Sequence, residues 1–305
     1  MDNNFKVFYI PKKKGFRKIV TYGKSNIKLR ETHKNINILL YRRVLVSKFA
    51  KAYTKNRSII KNAKTHMYND IFIMFDIKDF FQSINHNWLI DKLYYEINLN
   101  HKKKVSKKNC EKIVKSCSIS NKGLAVGFIP SPFLANIYMK DFDNILYGNL
   151  KQLELKNILY TRYADDIVIS YKSNKTEKFL EIKSLIDKNL SKFGLKINNE
   201  KTTIINLNKS NHVRITGINV IKDTFNNRSI SVGRKRKDDF YNLALKIAKE
   251  KKEEVNIYER KKIIGLYHFI VSVEGKGFEK CYSEKMNHAI NNLGYKNFEE
   301  LIKNI

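Results

Sequence analysis

The sequence contains few residues of the kinds that cross-link or interrupt a chain: three cysteines, three prolines and twelve glycines among 305 residues. The cysteine count is odd and no two cysteines form a CxxC pair, which argues against a disulfide framework and a zinc knuckle and indicates a reducing cytoplasm. The scarcity of proline and glycine excludes a long flexible linker. Since no run approaches the ~20 apolar residues of a bilayer span and the first ten residues lack a signal-peptide pattern, we expect a cytoplasmic protein without a membrane partner.

Acidic residues are also scarce, because 29 Asp and Glu face 60 Lys and Arg, and the formal net charge at pH 7 is +31. So large an excess predicts a polyanionic partner. The basic residues are spread over the whole length instead of being gathered in one amphipathic helix, which favours nucleic acid over lipid. The hydrophobic fraction of 42%, with 18 Phe and 17 Tyr, is enough for a core and excludes a disordered basic tail.

The periodicity of apolar residues predicts a mixed body of strands and helices up to residue 232 and a small basic helical domain from residue 233 to residue 305. The run from Ile71 to Phe75 has the pattern of a strand buried on both faces, and Leu159–Tyr171 predicts a strand, a polar turn at Asp165-Asp166 and a second strand. Further predictions include a helix ending near Phe49, a lysine-rich exposed segment over 101–115, a helix over 133–146 and a strand over 214–221.

Three acidic residues occupy positions from which they could act together. Asp76 directly follows the buried strand, and Asp165 and Asp166 lie at the tip of the strand-turn-strand unit. If the two strands are neighbours in one sheet, three carboxylates meet at one edge, and divalent cations such as Mg²⁺ would neutralise them. Two such ions ~3.5–4 Å apart can clamp the attacking and leaving oxygens of a phosphoryl transfer. The alternative is an ordinary hairpin tip, where Asp is common.

The residues around these acids resemble a known family. Phe75–Ile84 and Tyr160–Asp166 resemble the two metal-binding palm motifs of reverse transcriptases. Four shorter segments resemble the bacterial retron reverse transcriptases more narrowly: Lys14–Ile19, Asn62–His66, Ile215–Gly217 and Gly265–Glu274. With these segments the resemblance extends over about residues 6 to 295.

The resemblance implies an α+β fold of the right-hand polymerase type, with fingers and an antiparallel palm over residues 1–232 and a small helical thumb over 233–305. It implies an RNA-directed DNA polymerase that uses deoxynucleotides and two Mg²⁺ ions. The implied metal ligands are Asp76, Ile77, Asp165 and Asp166, and we expect Asp165 to be the tighter of the paired acids. Lys201 is implied to assist the departure of pyrophosphate, or else is a plain surface lysine.

The same resemblance assigns the nucleotide site. Arg17 is expected to contact the triphosphate, and Phe81 to be a ring that clashes with a ribose 2′-hydroxyl. The alternatives are a solvated arginine and a core phenylalanine. The remaining residues implied to bind the nucleotide are Lys14, Gly127 and Ser131.

A further set is implied to bind nucleic acid: Asn62, His66, Arg234, Lys235, Arg236, Lys237 and Tyr241. Each has an alternative, because a basic run is usually a solvated face, a histidine beside apolar strands is often structural, and the periodicity of Tyr241 suits a core position. Tyr241 would otherwise stack on an unpaired base.

One departure from the family pattern matters for function, because Val126 occupies the place of a glutamine that contacts the incoming nucleotide in relatives. The retron resemblance implies that a cognate structured non-coding RNA is copied from an internal guanosine 2′-hydroxyl, giving branched RNA–DNA in anti-phage defence with a separate effector protein. It leaves no room for an RNase H domain after the thumb, so we expect host RNase H to remove the template. The alternatives are a defence-associated enzyme that makes unbranched DNA, an inactive RNA-binding protein, and an RNA-dependent RNA polymerase.

Overall fold

The computed structural model describes residues 5–11, 15–250 and 255–305. Lys14, one of the residues predicted to bind the nucleotide, lies outside these ranges. The chain forms two compact units, one of residues 1–62 and 69–208 and one of residues 63–68 and 209–305. The boundary predicted near residue 233 falls within the second unit, where the last strand is followed by helices, and it stays a prediction for the subdomains.

The first unit contains a two-stranded hairpin, a four-stranded sheet and most of the helices. Its strands are β1 (Lys6–Pro11), β2 (Phe16–Thr21), β3 (Ile71–Asp76), β4 (Leu159–Tyr163), β5 (Asp166–Tyr171) and β6 (Thr203–Asn206). Its helices are α1 (Ile27–Arg43), α3 (Phe80–Ser83), α4 (His86–Asn98), α5 (Lys107–Ser116), α6 (Ser131–Tyr138), α7 (Lys140–Lys151) and α8 (Phe179–Lys192). Helix α2 (Ile59–His66) is shared between the two units.

The four-stranded sheet is antiparallel, with the order β4-β5-β3-β6. β3 is an inner strand and is apolar on both faces, as predicted, and its residues join side chains of α4, α6, α7 and α8 in one core. Burial of each large aliphatic or aromatic side chain in such a core contributes about 1.5–3 kcal/mol. The sheet edge at which β3 ends is therefore held by a rigid support.

The second unit contains a three-stranded antiparallel sheet followed by helices. Its elements are β7 (His212–Ile215), β8 (Ile218–Lys222), β9 (Arg228–Ser231), α9 (Arg234–Lys249), α10 (Ile257–Glu274), α11 (Glu284–Asn291) and α12 (Phe298–Asn304). Phe240 of α9 is fully buried among aromatic rings of α10 and α12, which gives the helices a core of their own.

The single strand predicted over 214–221 is wrong, because the chain turns back at Thr216 and Gly217 and forms the β7–β8 hairpin. Both turn residues have positive φ, 45° and 87° respectively, which no strand residue adopts. Strand β9 and helix α12 are further elements that the periodicity did not indicate.

Two helix predictions and the prediction for the lysine-rich segment also need correction. α1 ends at Arg43, where the amide of Val44 bonds back to Leu40 and the chain becomes extended, so Phe49 lies beyond the helix. The helix predicted over 133–146 is two helices, α6 and α7, that meet at Met139. The lysine-rich segment contains α5, which buries Cys110, Ile113 and Val114 and keeps most of its lysines outward. Among the described residues, no helix is both long and apolar enough to cross a bilayer.

Candidate active site

The three predicted acids meet at one end of the four-stranded sheet. β3 and β5 are antiparallel neighbours, and their register places Asp76 directly opposite Asp166. Side chains of directly opposed residues in such a pair lie on the same face, with Cβ atoms about 4.5–5.5 Å apart. The carbonyl of Asp165 accepts a hydrogen bond of 3.0 Å from the amide of Ile77. The predicted adjacency of the two strands is confirmed.

The turn that carries Asp165 lies one residue earlier than predicted. Tyr163 pairs with Asp166, so the loop between β4 and β5 consists of Ala164 and Asp165, and Asp166 is the first residue of β5. Ala164 has a φ of 57°, a left-handed conformation that costs a residue other than glycine about 1–2 kcal/mol. The two neighbouring acids therefore have different supports, one on a strained turn and one on a strand.

The proximity of the acids changes their proton affinity. Burial, reinforced by the charges of Asp165 and Asp76, raises the pKa of Asp166 from 3.8 to about 7. Burial also raises the pKa of Asp165, again with a contribution from Asp76. The positive charges of Lys201 and Arg17 act in the opposite direction on both carboxyls. Negative charge at this edge is thus held at a cost, as expected of a site built to receive cations.

Asp76 has its own hydrogen-bond partners in the segment after α8. Its Oδ1 accepts a bond of 3.0 Å from Nδ2 of Asn198, and its Oδ2 accepts one of 2.8 Å from Nζ of Lys201. The amide of Asn198 also donates to the Asp76 carbonyl at 2.8 Å. Lys201, although half-exposed, is therefore paired with an acid of the site, which supports a role beyond that of a plain surface lysine.

The donor set suits a hard divalent cation, because carboxylate oxygens are the ligands that Mg²⁺ takes and the raised pKa values report charge that a cation would neutralise. Within residues 5–11, 15–250 and 255–305, no group of three or more His, Cys, Asp or Glu side chains is close enough to hold one ion in this arrangement. The Asp76 carboxylate is instead engaged with Lys201 and Asn198. Ile77, predicted to ligate the metal, is buried beside these acids.

Arg17 belongs to the β1–β2 hairpin, in which it pairs with Ile10 and is exposed. Its charge acts on Asp165 and Asp166, so the hairpin presents a guanidinium to the acidic edge. This placement supports the predicted contact with a triphosphate over the solvated alternative, since guanidinium groups bind phosphate bidentately.

The loop before α6 packs tightly against this hairpin. The amide of Val20 on β2 donates to the carbonyl of Val126 at 2.8 Å. Gly127 has a φ of 119°, and a Cβ atom there would lie 2.3 Å from the Val20 carbonyl oxygen, so glycine is required. Ser131 is fully buried, and its Oγ has no hydrogen-bond partner among the described residues. Gly127, in contrast, is exposed and available to a ligand.

The two phenylalanines after Asp76 occupy different environments. Phe80 is buried in the core, with 3% of its surface exposed. Phe81 is only half-buried and contacts Phe80 edge-on, with ring centroids 5.4 Å apart. Since Phe80 takes the core position, Phe81 remains available at the surface as the predicted sugar-discriminating ring.

The residues predicted to bind nucleic acid from α2 are both fully buried. Oγ1 of Thr161 on β4 donates to Oδ1 of Asn62 at 2.6 Å, so Asn62 holds a palm strand in place. This burial favours the structural alternative for Asn62 and His66 over a contact with RNA.

The predicted basic run 234–237 has two kinds of member. Arg234 and Lys235 are exposed. Arg236 donates to the Gly217 carbonyl at 2.7 Å and lies over the ring of Phe269, and Lys237 pairs with Glu274 at 3.2 Å.

Tyr241 is buried, and its ring packs against Tyr282 and Phe298. This packing favours the core alternative over base stacking. Within the predicted nucleic-acid set, the exposed members of the basic run are therefore the ones that present their charge to a ligand.

Comparison with known proteins points to one family. The reverse transcriptase (RNA-dependent DNA polymerase) family matches residues 10–220. The retron Ec73 reverse transcriptase of Escherichia coli is 31% identical over 222 residues, covering 70% of this chain and 68% of that protein. The retron Ec83 reverse transcriptase of the same organism is 26% identical over 295 residues, covering 94% of this chain and 89% of that protein.

Among solved structures, that of apo telomerase from Candida tropicalis is similar, with a TM-score of 0.51 and 14% sequence identity. The similarity covers 99% of this chain but 63% of the telomerase chain, so the chain spans less than two thirds of that neighbour. At this identity the likeness concerns the fold alone, and it agrees with the α+β right-hand polymerase architecture that the motifs predict.

Proposed function

The chain belongs to the reverse transcriptase family, with retron reverse transcriptases among its relatives, and on that premise we propose that it copies part of a cognate structured non-coding RNA from an internal guanosine 2′-hydroxyl, giving a branched RNA–DNA product. It is an RNA-directed DNA polymerase of the retron type. The observation that carries the proposed chemistry is the register that places Asp76 opposite Asp166, with Asp165 bonded through its carbonyl to Ile77.

In the proposed reaction a primer hydroxyl attacks the α-phosphate of a deoxynucleotide and pyrophosphate leaves. Asp76, Asp165, Asp166 and the Ile77 carbonyl would hold two Mg²⁺ ions, whose chemistry when bound is to stabilise charge on the transferring phosphate. Arg17 binds the triphosphate from the hairpin.

Two further residues have proposed roles around the reacting phosphate. Lys201, whose Nζ lies 2.8 Å from Oδ2 of Asp76, would give a proton to the departing pyrophosphate. The half-buried ring of Phe81 would exclude the 2′-hydroxyl of a ribonucleotide.

A second candidate function is a defence-associated reverse transcriptase that makes unbranched DNA, and the residue that favours it is Val126. The backbone of Val126 bonds to Val20, and that bond does not depend on the side chain. Valine can therefore occupy the place of the family's glutamine without disturbing the loop, but it cannot supply that side chain's hydrogen bond to the nucleotide.

The cellular part of the proposal is action in anti-phage defence, in the cytoplasm, together with a separate effector protein, and with host RNase H removing the copied template. The retron relatives motivate this part. An adjacent structured RNA gene and a companion reading frame beside the coding region would support it, and their absence would favour the second candidate.

The test of the branched product is to co-express the chain with the DNA that flanks its coding region, purify the complex, and analyse the bound nucleic acid. We expect single-stranded DNA joined to RNA, shortened by RNase treatment and separated by a 2′-5′ debranching enzyme. The Asp165→Asn, Asp166→Asn double variant should purify with RNA alone. DNA that the debranching enzyme leaves unchanged would establish the second candidate instead.

The basic run at the start of α9 gives a prediction about RNA binding. The double variant Arg234→Ala, Lys235→Ala should weaken RNA affinity and reduce the slope of log K against log salt by about 1.4, since each phosphate contact to single-stranded RNA contributes about 0.7. Its melting temperature should not change, because both side chains are exposed. Filter binding from 50 to 300 mM salt and a melting curve measure the two effects.

The matched control is Arg236→Ala, in the same run. It should lower the melting temperature, because the Gly217 carbonyl loses its donor and Phe269 loses its cation. An unchanged salt slope in the Arg234, Lys235 double variant would contradict the assignment of these two residues to RNA.

A further inference from the structure

A charged pair is fully buried next to the turn that carries the acids. Arg162 of β4 and Asp143 of α7 both have no exposed side-chain surface. The guanidinium donates from Nε to Oδ1 at 2.8 Å and from Nη2 to Oδ2 at 2.9 Å, a bidentate pair. Oη of Tyr160 adds a bond of 2.6 Å to Oδ1 of Asp143. A buried ion pair is weak support for stability alone, because removing two charges from water is costly.

The third nitrogen of the guanidinium is directed at the acidic turn. Nη1 of Arg162 donates to the carbonyl oxygen of Ala164 at 3.1 Å. Ala164 is the left-handed residue of the turn, and the next residue, Asp165, is held through its own carbonyl by the Ile77 amide. Each of the two loop residues is thus held through its carbonyl by one hydrogen bond, Ala164 by the buried cation of Arg162 on β4 and Asp165 by the Ile77 amide that follows β3.

The same nitrogen reaches a second segment through Asn136. Nη1 also donates to Oδ1 of Asn136 at 3.1 Å, and Nδ2 of Asn136 donates to the Ala52 carbonyl at 2.9 Å. The next residue, Tyr53, has a φ of 54°, and its phenol lies within electrostatic range of Asp165, whose charge contributes to raising the pKa of Tyr53 after burial. Two left-handed residues beside the acids, Ala164 and Tyr53, are therefore ordered by one network.

We propose that Arg162, oriented by Asp143 and Asn136, is a positioning residue that fixes the Ala164-Asp165 turn and the Ala52-Tyr53 segment in the geometry that catalysis requires. The inference rests on the proposed role of Asp165 and Asp166 as the acids that hold the metal ions. The bidentate pair with Asp143 fixes the plane of the guanidinium and thereby directs its remaining nitrogen at the Asn136 side chain and the Ala164 carbonyl. Reacting groups displaced by about 1 Å lose about 10²-fold in rate, which sets the expected effect of losing this support.

The test compares Arg162→Lys with Tyr160→Phe. The lysine keeps a positive charge opposite Asp143 but cannot also bond to Asn136 and Ala164 with the geometry of the fork. Tyr160→Phe removes a hydrogen bond from the same Asp143 and leaves the turn untouched. We expect Arg162→Lys to lower kcat by about 10²-fold with a KM for deoxynucleotide changed less than about threefold. Tyr160→Phe should keep kcat within about threefold.

Two readouts without turnover separate positioning from general stability. Hydrogen exchange at the amides of residues 164–166 should be faster in Arg162→Lys than in Tyr160→Phe, when each variant is measured the same number of degrees below its own melting temperature. Binding of Mn²⁺, followed by the electron paramagnetic resonance of the free ion without nucleic acid, should also be weaker in Arg162→Lys. If Arg162→Lys fails to fold, Asn136→Ala replaces it in the test, because this variant removes the bond between Arg162 and Asn136 and keeps the one to Ala164. We then expect changes in the same direction, with kcat lowered by about 10-fold instead of about 10²-fold.

Equal kcat, exchange and Mn²⁺ binding in Arg162→Lys and Tyr160→Phe would overturn the proposal and leave the pair a structural one. Failure of the proposed function would give a different result from failure of this inference. The single variant Asp165→Asn, with Arg162 unchanged, would then retain activity. An inactive Asp165→Asn together with a fully active Arg162→Lys would leave the acids assigned and remove Arg162 from their support.

Discussion

Asp165→Asn and Asp166→Asn are each expected to lower the rate of nucleotide addition by at least about 10³-fold, since each removes a charged ligand from a site whose ions supply several kcal/mol of stabilisation to the transition state. Single-turnover extension of a primer on an RNA template measures the effect. The exposed Asp187 on α8 provides the control, because Asp187→Asn removes the same charge away from the sheet edge and should leave the rate unchanged. Retained activity in both Asp165→Asn and Asp166→Asn would contradict the assignment of the site.

The same substitution at Asp166 is expected to stabilise the fold, and the sign follows from its pKa. The folded state holds this carboxyl at a pKa of about 7, above the ordinary 3.8, so the folded state binds a proton more readily than the unfolded state. As pH rises from 4 to 7, the fold therefore loses stability through this group. Asp166→Asn removes that loss, by on the order of 1 kcal/mol after solvent screening.

Melting curves at pH 5 and pH 8 test this expectation. The gain of Asp166→Asn over the wild type should be larger at pH 8 than at pH 5, and Asp187→Asn should show no such difference. A melting temperature of Asp166→Asn below that of the wild type at pH 8 would mean that the carboxylate stabilises the apo fold. Loss of activity joined to a gain of stability is the signature of a site that holds like charges together for function.

The acids could be predicted from sequence because their placement follows from local rules. Ile71–Phe75 is apolar at every position, which predicts an inner strand, and a polar residue at its end then lies at the sheet edge. The Asp165-Asp166 pair between two apolar runs predicts a hairpin tip. The exact loop residues did not follow, because Ala164 adopts a left-handed conformation that alanine seldom takes. Its carbonyl is held by Arg162 and that of Asp165 by Ile77, and the orientation of Arg162 depends on packing that the local sequence does not specify.

The residues that sequence reasoning missed act through distant partners. Asn198 bonds to Asp76 from 122 positions away, and Asp143 pairs with Arg162 across 19 positions. One signal was present: Arg162 lies two residues after Tyr160 in a predicted strand, and a charged side chain that is buried there requires an acid nearby. The identity of that acid depends on how α7 packs, which periodicity does not specify. Arg234 is exposed whereas Arg236 is bonded to the Gly217 carbonyl, and this difference likewise depends on where the β7–β8 turn lies.

Phe81→Ala is expected to admit ribonucleotides, since the half-buried ring is the bulk that would clash with a 2′-hydroxyl and alanine leaves that space open. The ratio of kcat/KM for a deoxynucleotide to that for the matching ribonucleotide should fall by at least about 10-fold, within the range that one pocket contact can contribute. Both values are measured on the same RNA template and primer, and kcat/KM for the deoxynucleotide should change much less.

Phe80→Leu is the matched control, because the neighbouring ring is buried in the core and touches Phe81 at a centroid distance of 5.4 Å. It should lower the melting temperature while keeping the discrimination, whereas Phe81→Ala should do the reverse. If the two variants lost discrimination equally, the selectivity would reside in the packing of α3 as a whole. If neither variant lost discrimination, the sugar would be recognised elsewhere, and the half-buried Phe81 would have another role, such as contact with the template strand. The two rings differ in burial, so the pair separates a specificity role from a packing role within one turn of one helix.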